Sequence, residues 1–111
     1  MTKYAAVRDP TRPAMHPGEL LREEVLPALG RSVSEIARLL HVSRQTLHAI
    51  LREEAPVTAG MALKLGKLCG NGPALWINLQ QVYDLERLTA AMAPELDQIP
   101  TLAAGQEWAH P

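Results

Sequence analysis

The side chains able to do chemistry are few, and most are badly spaced for catalysis. His16, His41, His48 and His110 lie too far apart for the short ligand spacing of a zinc site, and Cys69 has no second cysteine to share a metal. Near a helix end, Cys69 reads as a small core residue rather than a nucleophile. Glu23-Glu24 and Glu53-Glu54 are neighbours in sequence only, because adjacent helical residues point in different directions. They read as solvated surface or as contacts to a basic partner. No Gly-rich phosphate loop, Ser/His/Asp set or metal motif occurs, so no enzyme, metal site or cofactor is expected. One run differs: Ser43-Arg44-Gln45-Thr46-Leu47-His48-Ala49-Ile50-Leu51-Arg52. Its polar groups are those that read base edges: Arg pairs with guanine, Gln with adenine, and a Thr methyl meets a thymine methyl.

For those groups to reach one groove they must share a helix face. Leu47, Ile50 and Leu51 recur at helical spacing, with Ser43 as N-cap, and Leu47 and Ile50 turn inward. That leaves Arg44, Gln45, Thr46 and His48 outward, with Ala49 and Arg52 at the margin. A second helix must precede this one. Ser32-Val33-Ser34-Glu35 has the spacing of a capping box, and Ile36, Ala37, Leu39 and Leu40 follow it. Ala37 is small where two helices cross, and Val42 plugs the corner. His41 occupies a turn position that usually takes glycine because it needs positive φ, a region histidine tolerates. The pattern is a helix-turn-helix, whose second helix enters the major groove through its first turns. The expected DNA-binding residues are therefore Ser34, Arg38, Ser43, Arg44, Gln45, Thr46, His48 and Arg52. Amides at the capped start near Ser32 and Ser34 suit a phosphate, and Arg31, Arg38 and Arg52 add charge toward the DNA backbone. A solvated face of an ordinary bundle fits the charge alone. The joint placement of Ala37, Val42, Leu47, Ile50 and two N-caps favours DNA reading.

The charge distribution agrees with this placement. The net charge is −1, yet residues 31–52 carry four arginines against one glutamate, while residues 53–111 carry three basic and seven acidic residues. Local charge, more than net charge, steers association with a polyanion. At 111 residues, 47% hydrophobic and 21% charged, the chain has the balance of one soluble domain with a modest core. One cysteine excludes a disulfide scaffold, and the cytoplasm is the expected compartment. The uncharged run from Leu68 to Tyr83 is interrupted by Gly70, Gly72, Pro73 and Asn78, so no transmembrane helix is expected. Met1 to Arg8 is too short in apolar residues for a signal peptide.

Proline and glycine divide the remainder into further helices, with no sustained period-2 alternation for strands. One follows Pro17 through GELLREEVL and is closed by Pro27 and Gly30. Thr58 caps another that carries Met61, Leu65 and Leu68 and stops at Gly70-Asn71-Gly72. Pro73 opens the last, expected to reach about Met92 before Pro94. The domain is expected over 15–93, with extended arms at 1–14 and 94–111. Projected at the helical step, Leu75, Trp76, Leu79, Val82 and Tyr83 fall on one side of the last helix, and Ile77, Leu85, Leu88 and Met92 on the other. A helix lying on a single small domain needs one apolar stripe. The second stripe (Ile77, Leu85, Leu88, Met92) is therefore a candidate interface with a two-fold copy of the chain, unless the C-terminal arm folds back over it. Trp76 and Tyr83 read as core or dimer residues, since two aromatics make a poor single-strand platform.

Four segments in order, HPGELLREE, VSRQTLHAIL, MALKL and LWINLQQVYDL, resemble HigA-type antitoxins of the Xre-like helix-turn-helix class over about residues 15–88. The resemblance implies an all-α, five-helix, lambda-repressor-like domain. It also implies a homodimer that binds operator DNA, represses its own operon and neutralises a HigB-type toxin, a ribosome-dependent mRNA endonuclease. A stand-alone Xre-type or phage-type repressor on the same fold is the alternative. The sequence departs from the family pattern at His41, at Gly66 and Cys69, and in the 94–111 tail.

Overall fold

A computed structural model describes residues 13–102 of the chain. Its first helix, α1, begins where proline fixes φ and a side chain satisfies a free amide: Pro17 is the first helical residue, and His16 Nδ1 accepts from the Gly18 amide at 2.8 Å. The helix has three consecutive segments, α-helical Pro17–Leu20, a π-turn over Leu21–Val25, and α-helical Leu26–Leu29, and ends at Gly30 with φ 65°. Pro27, expected to close this helix, lies inside it. In the π-turn the Leu26 amide bonds to the Leu21 carbonyl, five residues back. That wider turn accommodates a ring that would strike a carbonyl in a regular α-helix and has no N–H to offer.

The next three helices start at the expected caps. In α2, Val33–Leu40, Ser32 Oγ accepts from the Glu35 amide at 3.1 Å. In α3, Arg44–Leu51, Ser43 Oγ accepts from Thr46 at 3.0 Å, and in α4, Ala59–Cys69, Thr58 Oγ1 accepts from Met61 at 3.2 Å. Each cap satisfies an amide that the helix cannot, an effect of about 1 kcal/mol. Gly70, at φ 76°, closes α4, and α5 runs over Ala74–Ala91. A short α6, Ala93–Leu96, follows. The start of the stretch expected to be extended is thus helical, because Pro94 falls in a first turn, where no amide is needed. Residues 1–12 and 103–111, which include most of the expected N-terminal arm, half of the C-terminal one and His110, lie outside the described residues. Among the described residues there is no strand, and no helix is long and apolar enough to cross a membrane.

The fold is all-α. α3 packs between α1 and α2, α4 joins α2 to α5, and α1 touches α5. Leu21, Ile36, Leu47, Ile50, Leu65 and Trp76 are fully buried at its centre. The Trp76 indole N–H is satisfied by Asn71 Oδ1 at 3.3 Å. Two glycines permit close backbone approaches. A Cβ on Gly18 would lie 1.9 Å from the Ile50 carbonyl oxygen, and one on Gly66 would lie 2.2 Å from the Gly72 carbonyl carbon. Gly66 therefore fits its helix for a reason of packing: its carbonyl also accepts from Gly70 and Gly72 at the turn.

The two stripes of α5 are divided differently from expectation. Leu75, Trp76 and Gln80 are buried, and Leu79 and Ile77 both pack partly against the core. Ile77 therefore belongs with the body and not with the outer stripe, whereas Val82, expected inward, is 38% exposed. The cause is length. α5 runs on to Ala91 past Gln80, its last buried residue, and there Tyr83 packs on His16 while Val82, Leu85 and Leu88 stay exposed.

Candidate nucleic-acid interface

The turn between α2 and α3 sets the geometry. His41 adopts the left-handed conformation, φ 59° and ψ 43°. Its amide bonds to the Arg38 carbonyl at 3.1 Å and the Val42 amide to the Ala37 carbonyl at 3.0 Å. This is a Schellman closure, which satisfies the last carbonyls of α2 and turns the chain sharply. Ala37 is buried at the crossing, Val42 packs half-buried behind the corner, and Leu47 and Ile50 anchor α3 from beneath. The Lys64 ammonium reaches the His41 carbonyl at 3.2 Å and ties α4 to the turn.

On the outer side of this frame, Arg44, Gln45, Thr46 and His48 are all exposed, and Ala49 is half-buried. Arg44 Nη1 donates to Ser34 Oγ at 3.1 Å, so the starts of α2 and α3 present one continuous surface. Ser43 and Thr46 are joined hydroxyl to hydroxyl at 2.8 Å, with Ser43 also serving as cap. Their hydroxyls are therefore part of the helix start, and the Thr46 methyl is the portion left for an apolar contact. Arg38 is exposed on α2. Arg52 is not brought to this cluster. Eight residues beyond Arg44, it lies about 12 Å along the axis, and it is ion-paired with Glu54 at 3.0 Å. Arg31 pairs with Glu35 on α2. Both pairs are exposed and exchange readily with other anions.

Several residues behind the face escaped the sequence reading. His16 is only 3% exposed, and Tyr83 of α5 meets it edge to face with ring centroids 4.8 Å apart. Burial pushes its pKa below the usual imidazole value, against the opposing pull of Glu53 and Asp84. It therefore acts as a neutral cap. The signal was available in His16-Pro17, an acceptor placed directly before a first-turn proline. Gln80 is buried, accepts from the Val57 amide at 2.8 Å and donates to Asp84 at 3.0 Å, fixing the chain that follows α3. Arg22, from the π-turn, reaches the Leu51 carbonyl at 2.7 Å and Glu53 at 3.2 Å. No local pattern marked that long-range contact. Burial raises the pKa of the half-buried Cys69 thiol, which suits a packing role.

Known proteins share this arrangement. The sequence pattern of the helix-turn-helix family matches residues 21–77. Virulence-associated protein I of Dichelobacter nodosus is 45% identical over 74 residues, covering 67% of this chain and 68% of that protein. The uncharacterized HTH-type transcriptional regulator YbaQ of Escherichia coli strain K12 is 33% identical over 99 residues, 87% of this chain and 88% of its own length. The Pseudomonas aeruginosa antitoxin HigA, solved with the higBA promoter, superposes with a TM-score of 0.75 at 37% identity, covering 80% of this chain and 98% of that one.

Proposed function

The chain belongs to the helix-turn-helix family, in the Xre-like group that includes HigA-type antitoxins, and on that premise we propose that it binds operator DNA upstream of its own gene. In this reading a dimer represses that promoter and also sequesters a HigB-type mRNA-cleaving toxin. The observation that carries the DNA part is the exposed face formed by Arg44, Gln45 and His48, joined to the start of α2 through Ser34. Its chemistry suits base edges, with the Thr46 methyl as an apolar contact. Ser34, Ser43 and Arg38 are suited to the flanking phosphates, and Arg52 reaches a phosphate only by exchanging Glu54 for it.

The outer stripe of α5 supports the dimer. Val82, Leu85 and Leu88 are exposed in line with Met92, and a second copy covering them would supply the paired α3 helices that two half-sites, about 34–36 Å apart, require. Sequestration of a toxin rests on the likeness to HigA. A stand-alone repressor is the second reading, favoured by the regulator name borne by YbaQ. Co-expression with the small open reading frame beside the gene tests the two. Restored growth and a stable co-purifying complex support the antitoxin role. Absence of both toxicity and complex, with binding to upstream DNA retained, leaves the repressor.

A further inference from the structure

The two ends of α3 are held differently. Its first turn carries the outward polar face, with Arg44 donating to Ser34 across the groove between helices. Its last turn is gripped by α1 at two points. At the first, Gly18 lets the two backbones approach so closely that a Cβ would sit 1.9 Å from the Ile50 carbonyl oxygen. At the second, four residues on, Arg22 Nη1 donates to the Leu51 carbonyl at 2.7 Å. That carbonyl is one of the terminal acceptors a helix leaves without an internal partner. The same Nη1 lies 3.2 Å from Glu53 Oε2, and Arg22 Nε lies 2.9 Å from Glu23 Oε2. Glu53 has φ 63°, a strained conformation for a residue with a side chain, and its amide turns back to the Ile50 carbonyl at 2.9 Å. One guanidinium thus bridges the last carbonyl of α3 and the residue that redirects the chain beyond it.

We propose that Arg22 is a positioning residue for DNA recognition: it clamps the C-terminal end of α3 so that Arg44 and Gln45, about two turns away, meet base edges in register. The proposal rests on the reading of α3 as the DNA-recognition helix. Arg22 sits at the end of α3 remote from Arg44, so the effect is transmitted through the helix and requires no contact with DNA. Base-edge hydrogen bonds demand placement within about 0.5 Å, and a pivot at one end of a rigid helix displaces the other end by more than that.

The test compares the full chain with its Arg22→Ala, Arg22→Lys and Arg44→Ala variants. Each is titrated on a duplex of the region upstream of its gene and on a random-sequence duplex of equal length, over a salt series. The Arg22→Ala variant is expected to lose about tenfold in the ratio of specific to random affinity, with the salt slope unchanged. Arg22→Lys keeps the charge but only a point donor, and is expected to lose about threefold. A ratio within about twofold of wild type in the folded variants overturns the proposal. So does a parallel loss on both duplexes with the slope reduced by about one, which marks a phosphate contact. Should Arg22→Ala fail to fold, Arg22→Lys decides. Hydrogen exchange reads the clamp without DNA: the Glu53 and Glu54 amides exchange about tenfold faster in Arg22→Ala and recover in part in Arg22→Lys. Unchanged exchange overturns the clamp. A wild-type chain with no preference for the upstream duplex, or an Arg44→Ala variant that keeps that preference in full, overturns the operator reading instead, and the exchange result still stands on its own.

Discussion

The bundle around Trp76 and the projecting half of α5 use the same kinds of residue for opposite ends. In the bundle, Leu47, Ile50, Leu65 and Trp76 are fully buried, and the polar groups among them, His16 and Gln80, each have a partner. Beyond Gln80, Leu85 is 65% exposed and Leu88 52% exposed, on a helix of the same regularity. Apolar side chains inside the bundle are consumed by folding, whereas those on the projection contribute little to it and remain available for a second molecule. The difference also explains why the exposed face of α3 can be polar without loss. Its helix is secured from beneath by Leu47, Ile50 and Leu51, so its outer residues are free to serve recognition.

Four variants sharpen or break this contrast. Trp76→Ala removes the largest fully buried side chain and is expected to cost about 3–5 kcal/mol, enough to unfold much of a small domain, as read by thermal denaturation. A loss under about 1 kcal/mol would show that the bundle is not packed around that indole. Paired Leu85→Lys and Leu88→Lys should leave helix content intact, convert the sedimenting species to a single chain and weaken upstream-DNA binding about a hundredfold. A dimer that survives both lysines places the interface elsewhere. His41→Gly relieves a left-handed non-glycine residue and should stabilise the fold by about 1 kcal/mol, with a higher melting temperature and unaltered oligomeric mass.

The smallest effect is one of pH. The unfolded chain protonates His16 near 6.5, whereas the folded chain, having buried it, does so only at lower pH. The stability from the neutral imidazole is therefore complete above pH 6.5 and is lost as the pH falls through the lower folded value. His16→Asn, which keeps a capping acceptor, should flatten the wild-type acid slope below about pH 6.5. Equal slopes in the two proteins would remove His16 as the cause.

Much of this was legible in the sequence because it is local. Ser32, Ser43 and Thr58 cap within three residues of themselves, Gly30 and Gly70 close helices by their own conformation, and the spacing from Ala37 to Ile50 specifies the angle between α2 and α3. What was missed depends on distant partners. Pro27 reads as a stop until the π-turn before it is known. The wheel of α5 says nothing of where the bundle ends, so Ile77, assigned to the outer stripe, packs against the core and Val82, assigned to the inner one, is exposed. The contacts Gly18 to Ile50 and Arg22 to Leu51 join residues that no periodicity connects.

The central claim, that the outer face of α3 reads DNA, is tested most directly by titrating Arg44→Ala with Gln45→Ala on the region upstream of the gene. The account predicts a loss of about 1–3 kcal/mol for each residue, with preference relaxed at one base position apiece and affinity for random duplex affected far less. Unchanged affinity and unchanged preference in the folded double variant would contradict it.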